Sequence, residues 1–466
     1  MGLARICRLA LACGVMAFGA QAARAETLAD ALVKAYQTSP LLDANRASLR
    51  ALDENVPQAR AARRPQVSGF GRGQAQSDIE DFPFDNSVAV GLQADLLLFD
   101  NGQSAAALES ARYGVAAGRA SLLNVEQEVL FQAVVAYMDV IQAIEFVRIA
   151  QNDQRVLVEQ LDATRNRFEV GEVTRTDVSQ TEARLAASRA RLVSANGNLD
   201  AARQAYRAAV GTPPGTLAPP PPLPQMPANR AEAERIAVQQ NPSVVAARFA
   251  ERGAVSDFDR ARAATGLSVQ AGSSLSYQGA KVDRGLAGRS YEDSWNLQVE
   301  LGASVPLYTG GRNSSLIRQA QQVLEQRKFQ VQDAARLAIE QANNAMTQLE
   351  VARASIVANR EQVVAAQIAF EGVSEEARLG ARSVLDVLDA DQERLQAEAE
   401  VVRAQRDEYV AAYAVLRAMG LLTVAHLGLG IESYDPDVYF RQVQRAPTGG
   451  YDTSAVDRIR ARWERP

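Results

Sequence analysis

From Leu123 onward apolar residues return every seven positions, at Leu130, Tyr137 and Ile144, with Ala133, Val140 and Val147 between them. Val158, Leu161 and Phe168 continue the same frame. A seven-residue apolar period held this far is the mark of a coiled coil. Between residues 103 and 170 only Gly114 and Gly118 interrupt a run rich in Ala, Leu, Glu, Gln and Arg, residues that favour helix. The pattern predicts one helix over 103–170 and a second over 312–379, each 68 residues long. At 1.5 Å per residue such a rod spans ~100 Å, far more than a globular core requires.

Each rod turns at a glycine, Gly171 or Gly380, placed as a left-handed C-cap. A returning helix follows, at about 175–210 and 384–419, ending at Gly211 and Gly420. These returns cover roughly half of each rod. An opening helix at about 27–64, and its counterpart at 229–265, is the right length to fill the other half. Stacked end to end, the short helices would bring Glu26, Gly211, the inter-repeat linker and Gly420 together at mid-height.

The period changes from seven to two between the opening helix and the rod. In Trp295–Val305 every odd position is apolar, while Asn296, Gln298, Glu300, Gly302 and Ser304 fill the even ones. This is a two-faced strand. Residues 267–278 alternate in the same way, as do Val88, Val90, Leu92, Leu96 and Leu98 against Ser87, Gln93 and Asp95; the Gly-rich strand near 66–76 is indistinct. Polar loops are expected at Ser77–Asn86 and Ala280–Asp293. A soluble sandwich shows the same alternation, but it needs a second sheet and no other strand-like region exists. The strand lengths suit a tilted bilayer crossing. Four strands fall short of the ~8 of the smallest closed barrels. Open edges are not tolerated in lipid, so several identical chains must complete one wall, and three chains would supply ~12 strands.

Residues 98–211 and 307–420 align at a constant offset of 209, matching Gly102 to Gly311, Ala111 to Ala320, Asp177 to Asp386 and Gly211 to Gly420. The chain is a duplicated α-β-β-α-α unit, 26–211 and 228–420. Residues 212–227, with Pro213-Pro214 and Pro219 to Pro222, cannot be helix and read as a stiff strap, with a ligand for a proline-binding domain as the alternative. Residues 1–25, with Arg5 and Arg8 before a short apolar run and Ala23-Arg24-Ala25 at its end, form an export signal, so the mature chain is expected to begin at Glu26. No later stretch approaches the ~18 unbroken apolar residues of a membrane helix. Both cysteines, Cys7 and Cys13, lie in the removed segment, which leaves no disulfide and no lipid-attachable cysteine. Loss of Arg5, Arg8 and Arg24 moves the net charge from −5 to −8, and an acidic chain gives no reason to expect nucleic acid. Residues 421–466 are expected to hold an equatorial segment and, from 441, a disordered tail.

Leu98-Phe99-Asp100-Asn101-Gly102 and Leu307-Tyr308-Thr309-Gly310-Gly311 at the strand-to-helix junctions, with the tips Val170–Val178 and Leu379–Asp389, make the chain resemble the TolC family of outer-membrane channels. The resemblance covers Leu28 to about Gly428. It implies a mostly α fold with a small β part: a homotrimer, with a shared β-barrel in outer-membrane lipid and an antiparallel coiled-coil α-barrel in the periplasm. It further implies a periplasmic adaptor and an inner-membrane ABC or proton-driven pump as partners, and cargo that is protein or small molecules. The tips Gly171, Glu172, Val173, Thr174, Gly380, Ala381, Arg382 and Ser383 would dock the adaptor. Asp386 and Asp389 match a charged ring at the periplasmic entrance. Arg382 matches a latch cation, with Thr176 and Asp177 as its partners. Ala377 departs from the family pattern, which has a tyrosine there, so one closing bond is expected to be missing and the gate easier to open. Without the resemblance, Asp386 and Asp389 read as a solvated helix face and Asp177 as a helix N-terminal carboxylate.

Two rivals remain. An enzyme would have to be assembled without cysteine, around the single histidine His426, and with no metal-ligand spacing; no cofactor is implied. A periplasmic coiled-coil adaptor would normally carry one hairpin and separate β domains, whereas this chain has two hairpins and four strands.

Overall fold

The computed structural model describes residues 25–78, 81–283 and 289–445. The expected export signal therefore lies, but for Ala25, outside the described residues, as does the chain beyond Arg445.

The heptad frame becomes two unbroken 67-residue helices, α4 (Gln103–Glu169) and α8 (Arg312–Arg378). Each folds back on a 36-residue partner, α5 (Arg175–Val210) or α9 (Val384–Met419). The opening segments differ from expectation. Neither is one helix: the first is α1 (Leu28–Thr38), α2 (Pro40–Asp53) and α3 (Asn55–Ala61), the second α6 (Arg230–Gln240) and α7 (Pro242–Ala263). Both break at a proline, which has no N–H to donate and forces the preceding residue out of helical conformation. Ser39 (ψ 113°) and Asn241 (ψ 123°) are extended, and each caps the helix that follows it, accepting from Leu42 N or Ser243 N.

Between these segments and the rods lie β1 (Gln66–Asp78), β2 (Asp81–Phe99), β3 (Ser268–Asp283) and β4 (Arg289–Ser304). All pair antiparallel in the order β1-β2-β3-β4, so the hairpins of the two repeats lie side by side, with β1 and β4 at the edges. The strands run into the polar stretches expected to be loops, and β1, indistinct in sequence, is paired along almost its whole length. A ladder is made by the backbone and does not require side-chain alternation to continue. Apolar side chains of the sheet stand exposed, among them Val88, Leu92, Leu297, Val299 and Leu301. Trp295 and Tyr277 are register partners with ring centroids 5.3 Å apart.

The main core sits at mid-height, where the short helices meet. Leu28, Leu32, Leu130, Tyr137, Tyr206, Leu416, Met419 and Leu422 are fully buried there. Thr38 Oγ1 donates to the Val210 carbonyl, 2.9 Å, and Asn241 Nδ2 to the Ala418 carbonyl, 2.9 Å, so each opening segment is tied to the end of its own return. The helix α4 holds one 18-residue stretch whose mean hydropathy would suit a membrane span, although polar residues interrupt it. Half of that stretch is buried inside the chain, and the residues from Val129 to Ile149 supply much of the core.

Past α9 the chain forms α10 (Val424–Leu427) and α11 (Pro436–Arg445). The tail expected to be disordered from 441 is thus helical to 445. Asp437 pairs with Arg119 at 2.7 Å and the Tyr439 hydroxyl donates to Glu54 at 2.9 Å, which fixes α11 against α2 and α4.

Candidate gate at the helical tips

Both tips are built from the same local parts. Gly171 (φ 79°) and Gly380 (φ 82°) take the left-handed conformation that glycine adopts without a Cβ clash. Gly171 N donates to the Phe168 carbonyl at 3.0 Å and Glu172 N to the Arg167 carbonyl at 2.9 Å. At the second tip Gly380 N reaches Ala377 at 3.2 Å and Ala381 N reaches Glu376 at 2.8 Å. These paired bonds are a Schellman closure and satisfy carbonyls that the helix end leaves open.

Three residues later each return begins in a capping box. Asp177 Oδ2 accepts from Thr174 N at 2.8 Å and from Thr174 Oγ1 at 2.7 Å, while Asp177 N donates back to that hydroxyl. Ser383 and Asp386 repeat the arrangement, with 3.0 Å from Ser383 N and 2.8 Å from Ser383 Oγ. The hydrogen bond from the Ser383 hydroxyl, then that from its amide, holds the Asp386 carboxyl below the ordinary aspartate range, and the Arg382 charge adds to this. Asp177 and Asp386 are therefore helix-capping carboxylates, whatever else they do.

Within one chain Arg382 is paired with Glu376, Nε to Oε2 2.9 Å, and among the described residues no bond joins it to Thr176 or Asp177. Thr176 is exposed. Asp389 is not free: Arg184 of α5 donates from Nη2 to its Oδ1 at 2.7 Å and from Nη1 to Gln392 Oε1 at 2.6 Å. Ala377 is buried, and Arg167 Nη1 reaches its carbonyl at 3.4 Å from the other coil. Nothing in the sequence singles out Arg167 or Arg184. Each is one arginine among many on helix faces, and its partner lies more than 200 residues away.

Behind the tips the two coils share a small core of Leu157, Leu161, Leu185, Val384 and Leu388. Further from the tips buried polar groups enter the helix packing. Asp153, only 2% exposed, accepts from Ser188 Oγ at 2.6 Å and Arg191 Nη2 at 2.8 Å. Arg394, also buried, donates to Asp391 at 2.6 Å and Glu398 at 2.6 Å. Burial pushes the Asp391 carboxyl above the ordinary range despite its bond to Arg394. The Asp153 bonds cross from α4 to α5 and set their register at some cost in stability, whereas the Arg394 pairs lie within α9. Among the described residues no cluster of three or more His, Cys, Asp or Glu side chains could hold a metal ion.

A family model described as outer membrane efflux protein matches residues 31–212 and 235–421, the two repeats. The outer membrane efflux protein BepC of Brucella suis biovar 1 (strain 1330) is 35% identical over 448 residues, 94% of this chain and 96% of that protein. The outer membrane protein TolC of Escherichia coli (strain K12) is 28% identical over 427 residues, 86% of this chain and 83% of that one. Among solved structures, the outer membrane protein VceC of Vibrio cholerae superposes with a TM-score of 0.72 at 19% identity, covering 84% of this chain and 96% of its own, which shows a shared fold.

Proposed function

The chain belongs to the outer membrane efflux protein family, and on that footing we propose that it is the outer-membrane conduit of a three-component export machine, passing cargo from an inner-membrane pump and a periplasmic adaptor to the exterior. Its place in the outer membrane and its action as an efflux channel are those of the family, a family of transport channels. The assembly with pump and adaptor, and the trimer, are our reading. One observation carries the reading: an open sheet of four strands, with β1 and β4 at its edges, leads into two helices of 67 residues. Such a sheet is stable in lipid only when other copies close it, and three copies set six coiled hairpins around a common axis. Two hairpins per chain favour the channel over a periplasmic adaptor.

In this reading residues 1–25 direct export, 26–211 and 228–420 are the two structural repeats, and 212–227 is the strap between them. The tips at Gly171–Thr174 and Gly380–Ser383 meet the adaptor. Asp386 and Asp389 line the periplasmic entrance, and Arg382 with Thr176 and Asp177 of a neighbouring coil forms the latch. Support comes from the position of all five at the free ends of the hairpins and from the symmetry of the two tips.

The purified protein is expected to fractionate with outer membranes as a trimer and to form channels in planar bilayers. A stable monomer, soluble without detergent, would end the reading. Arg382→Ala should raise single-channel conductance, and an unchanged value removes Arg382 from the latch. Because Asp386 caps α9, its charge is better tested with Asp386→Asn, which keeps an oxygen for the Ser383 donors. Asp386→Asn with Asp389→Asn should abolish block by trivalent cations, and persistent block would place the constriction elsewhere.

A further inference from the structure

We propose that Arg184 is the counter-ion of Asp389, so that one guanidinium both clasps α5 to α9 and sets how much negative charge the periplasmic entrance displays. The proposal rests on Asp386 and Asp389 lining that entrance. The geometry supplies the rest. Of the two carboxylates, Asp386 is bonded inside its own helix turn to Ser383, so its position is fixed by local structure. Asp389 owes its partner to a different coil. Arg184 spans the gap with two donors, one on Asp389 Oδ1 and one on Gln392 Oε1, residues three apart and hence on one face of α9. A guanidinium can hold both at once because its N–H groups form a rigid fork.

The pair stands at the rim of the apolar cluster that joins the coils, since Leu185 and Leu388 are immediate chain neighbours of Arg184 and Asp389. Arg184 is 35% exposed and Asp389 55%. An ion pair this wet is weak and screened by salt, which suits a clasp that must release. The buried Asp391–Arg394 pair, by contrast, lies within α9 and does not join the two coils. If α9 moves away from α5, Asp389 loses its neutralising charge. Movement of the coil and exposure of negative charge are then one event: the closed entrance is the less acidic, the open one the more attractive to cations.

The test is single-channel recording of the full-length trimer in planar bilayers, with La(III) as the blocking probe. Arg184→Gln removes the charge but keeps a polar side chain, and the core of Leu157, Leu161, Leu185, Val384 and Leu388 is untouched. Its conductance should rise and its half-blocking La(III) concentration should fall by about tenfold, as expected for loss of a unit positive charge a few ångströms from the ring. Arg184→Lys keeps the charge without the fork, so its La(III) block should stay near that of the parent while its conductance rises. Unchanged conductance and block in Arg184→Gln, in a variant that still forms detergent-stable trimers, overturns the proposal. Higher conductance with unchanged block also overturns it, leaving Arg184 a mechanical contact only. Asp389→Asn run alongside separates the two readings. If it fails to weaken block, the entrance ring itself is misplaced; if it weakens block while Arg184→Gln changes nothing, only the role of Arg184 is lost.

Discussion

The Tyr206 hydroxyl donates to the Glu26 carboxylate at 2.7 Å, joining the end of α5 to a residue 180 positions earlier in the chain. Lys34 reaches the same oxygen at 2.9 Å, and Glu26 is bridged through its backbone to Thr216 and Ala218 of the strap. The Tyr137 hydroxyl donates to the carbonyls of Glu26 and Ala218. Through its carboxylate and its backbone together, Glu26 thus ties α1, α4, α5 and the strap into a single knot at mid-height.

Burial opposes charge on Glu26, but the bonds from Lys34, Tyr206 and Gly215 outweigh it and leave its pKa below the ordinary glutamate value. A depressed carboxylate pKa adds stability above the usual range, lost as pH falls through the folded value. Tyr206→Phe should cost about 1–3 kcal/mol at neutral pH, and the deficit should shrink in acid. Burial, then the Glu26 charge, pushes Tyr137 up to about 12, so the stability it contributes at neutral pH should fade as pH rises from the ordinary tyrosine range toward that value. Thermal unfolding of the purified protein followed against pH checks both windows.

Asp53 is 1% exposed, and among the described residues neither of its carboxyl oxygens finds a hydrogen-bond partner. Burial raises its pKa in spite of Arg119 nearby, with Glu54 and Asp437 adding to the shift. A raised carboxylate pKa means the charged form is a burden at neutral pH that protonation relieves. Asp53→Asn should therefore stabilise by about 1 kcal/mol at neutral pH and by nothing in acid. A lower midpoint than the parent at neutral pH would show the charge to be useful where it stands.

Gly420 and Gly380 both have φ 82°, yet their surroundings differ. A Cβ at Gly420 would collide with the backbone carbonyl of Gln240, whereas nothing lies near Gly380. Gly380→Ala should cost about 1–2 kcal/mol of backbone strain. Gly420→Ala adds a clash with backbone that cannot turn aside and should prevent stable folding at physiological temperature. Equal yields of the two folded variants would refute the difference.

Asp391 and Arg394 are both nearly fully buried, 4% and 6% exposed. Truncating Arg394 alone leaves a desolvated carboxylate, and Arg394→Leu should cost about 3–5 kcal/mol. Replacing both, Asp391→Leu with Arg394→Leu, should recover most of that loss, because two apolar side chains need no partners. A double variant as unstable as the single one would show that other bonds, such as that to Glu398, dominate.

The sequence by itself determined everything that repeats locally. The seven-residue period marked both long helices to within a residue, Gly171 and Gly380 marked the tips, and strict alternation marked β2, β3 and β4. The fixed offset of 209 showed that one unit was used twice. Each signal records a backbone geometry that neighbouring residues impose on one another. Prolines 40 and 242 carried the helix breaks just as locally, though the apolar pattern on either side ran on and concealed them. Only the tertiary structure decided the partners: Tyr206 for Glu26, Arg184 for Asp389, Arg167 for the Ala377 carbonyl. Those contacts depend on how one repeat is laid against the other or a helix end against the strap, across 180 residues or more, and no periodicity within a helix encodes which of its many arginines will face which carboxylate.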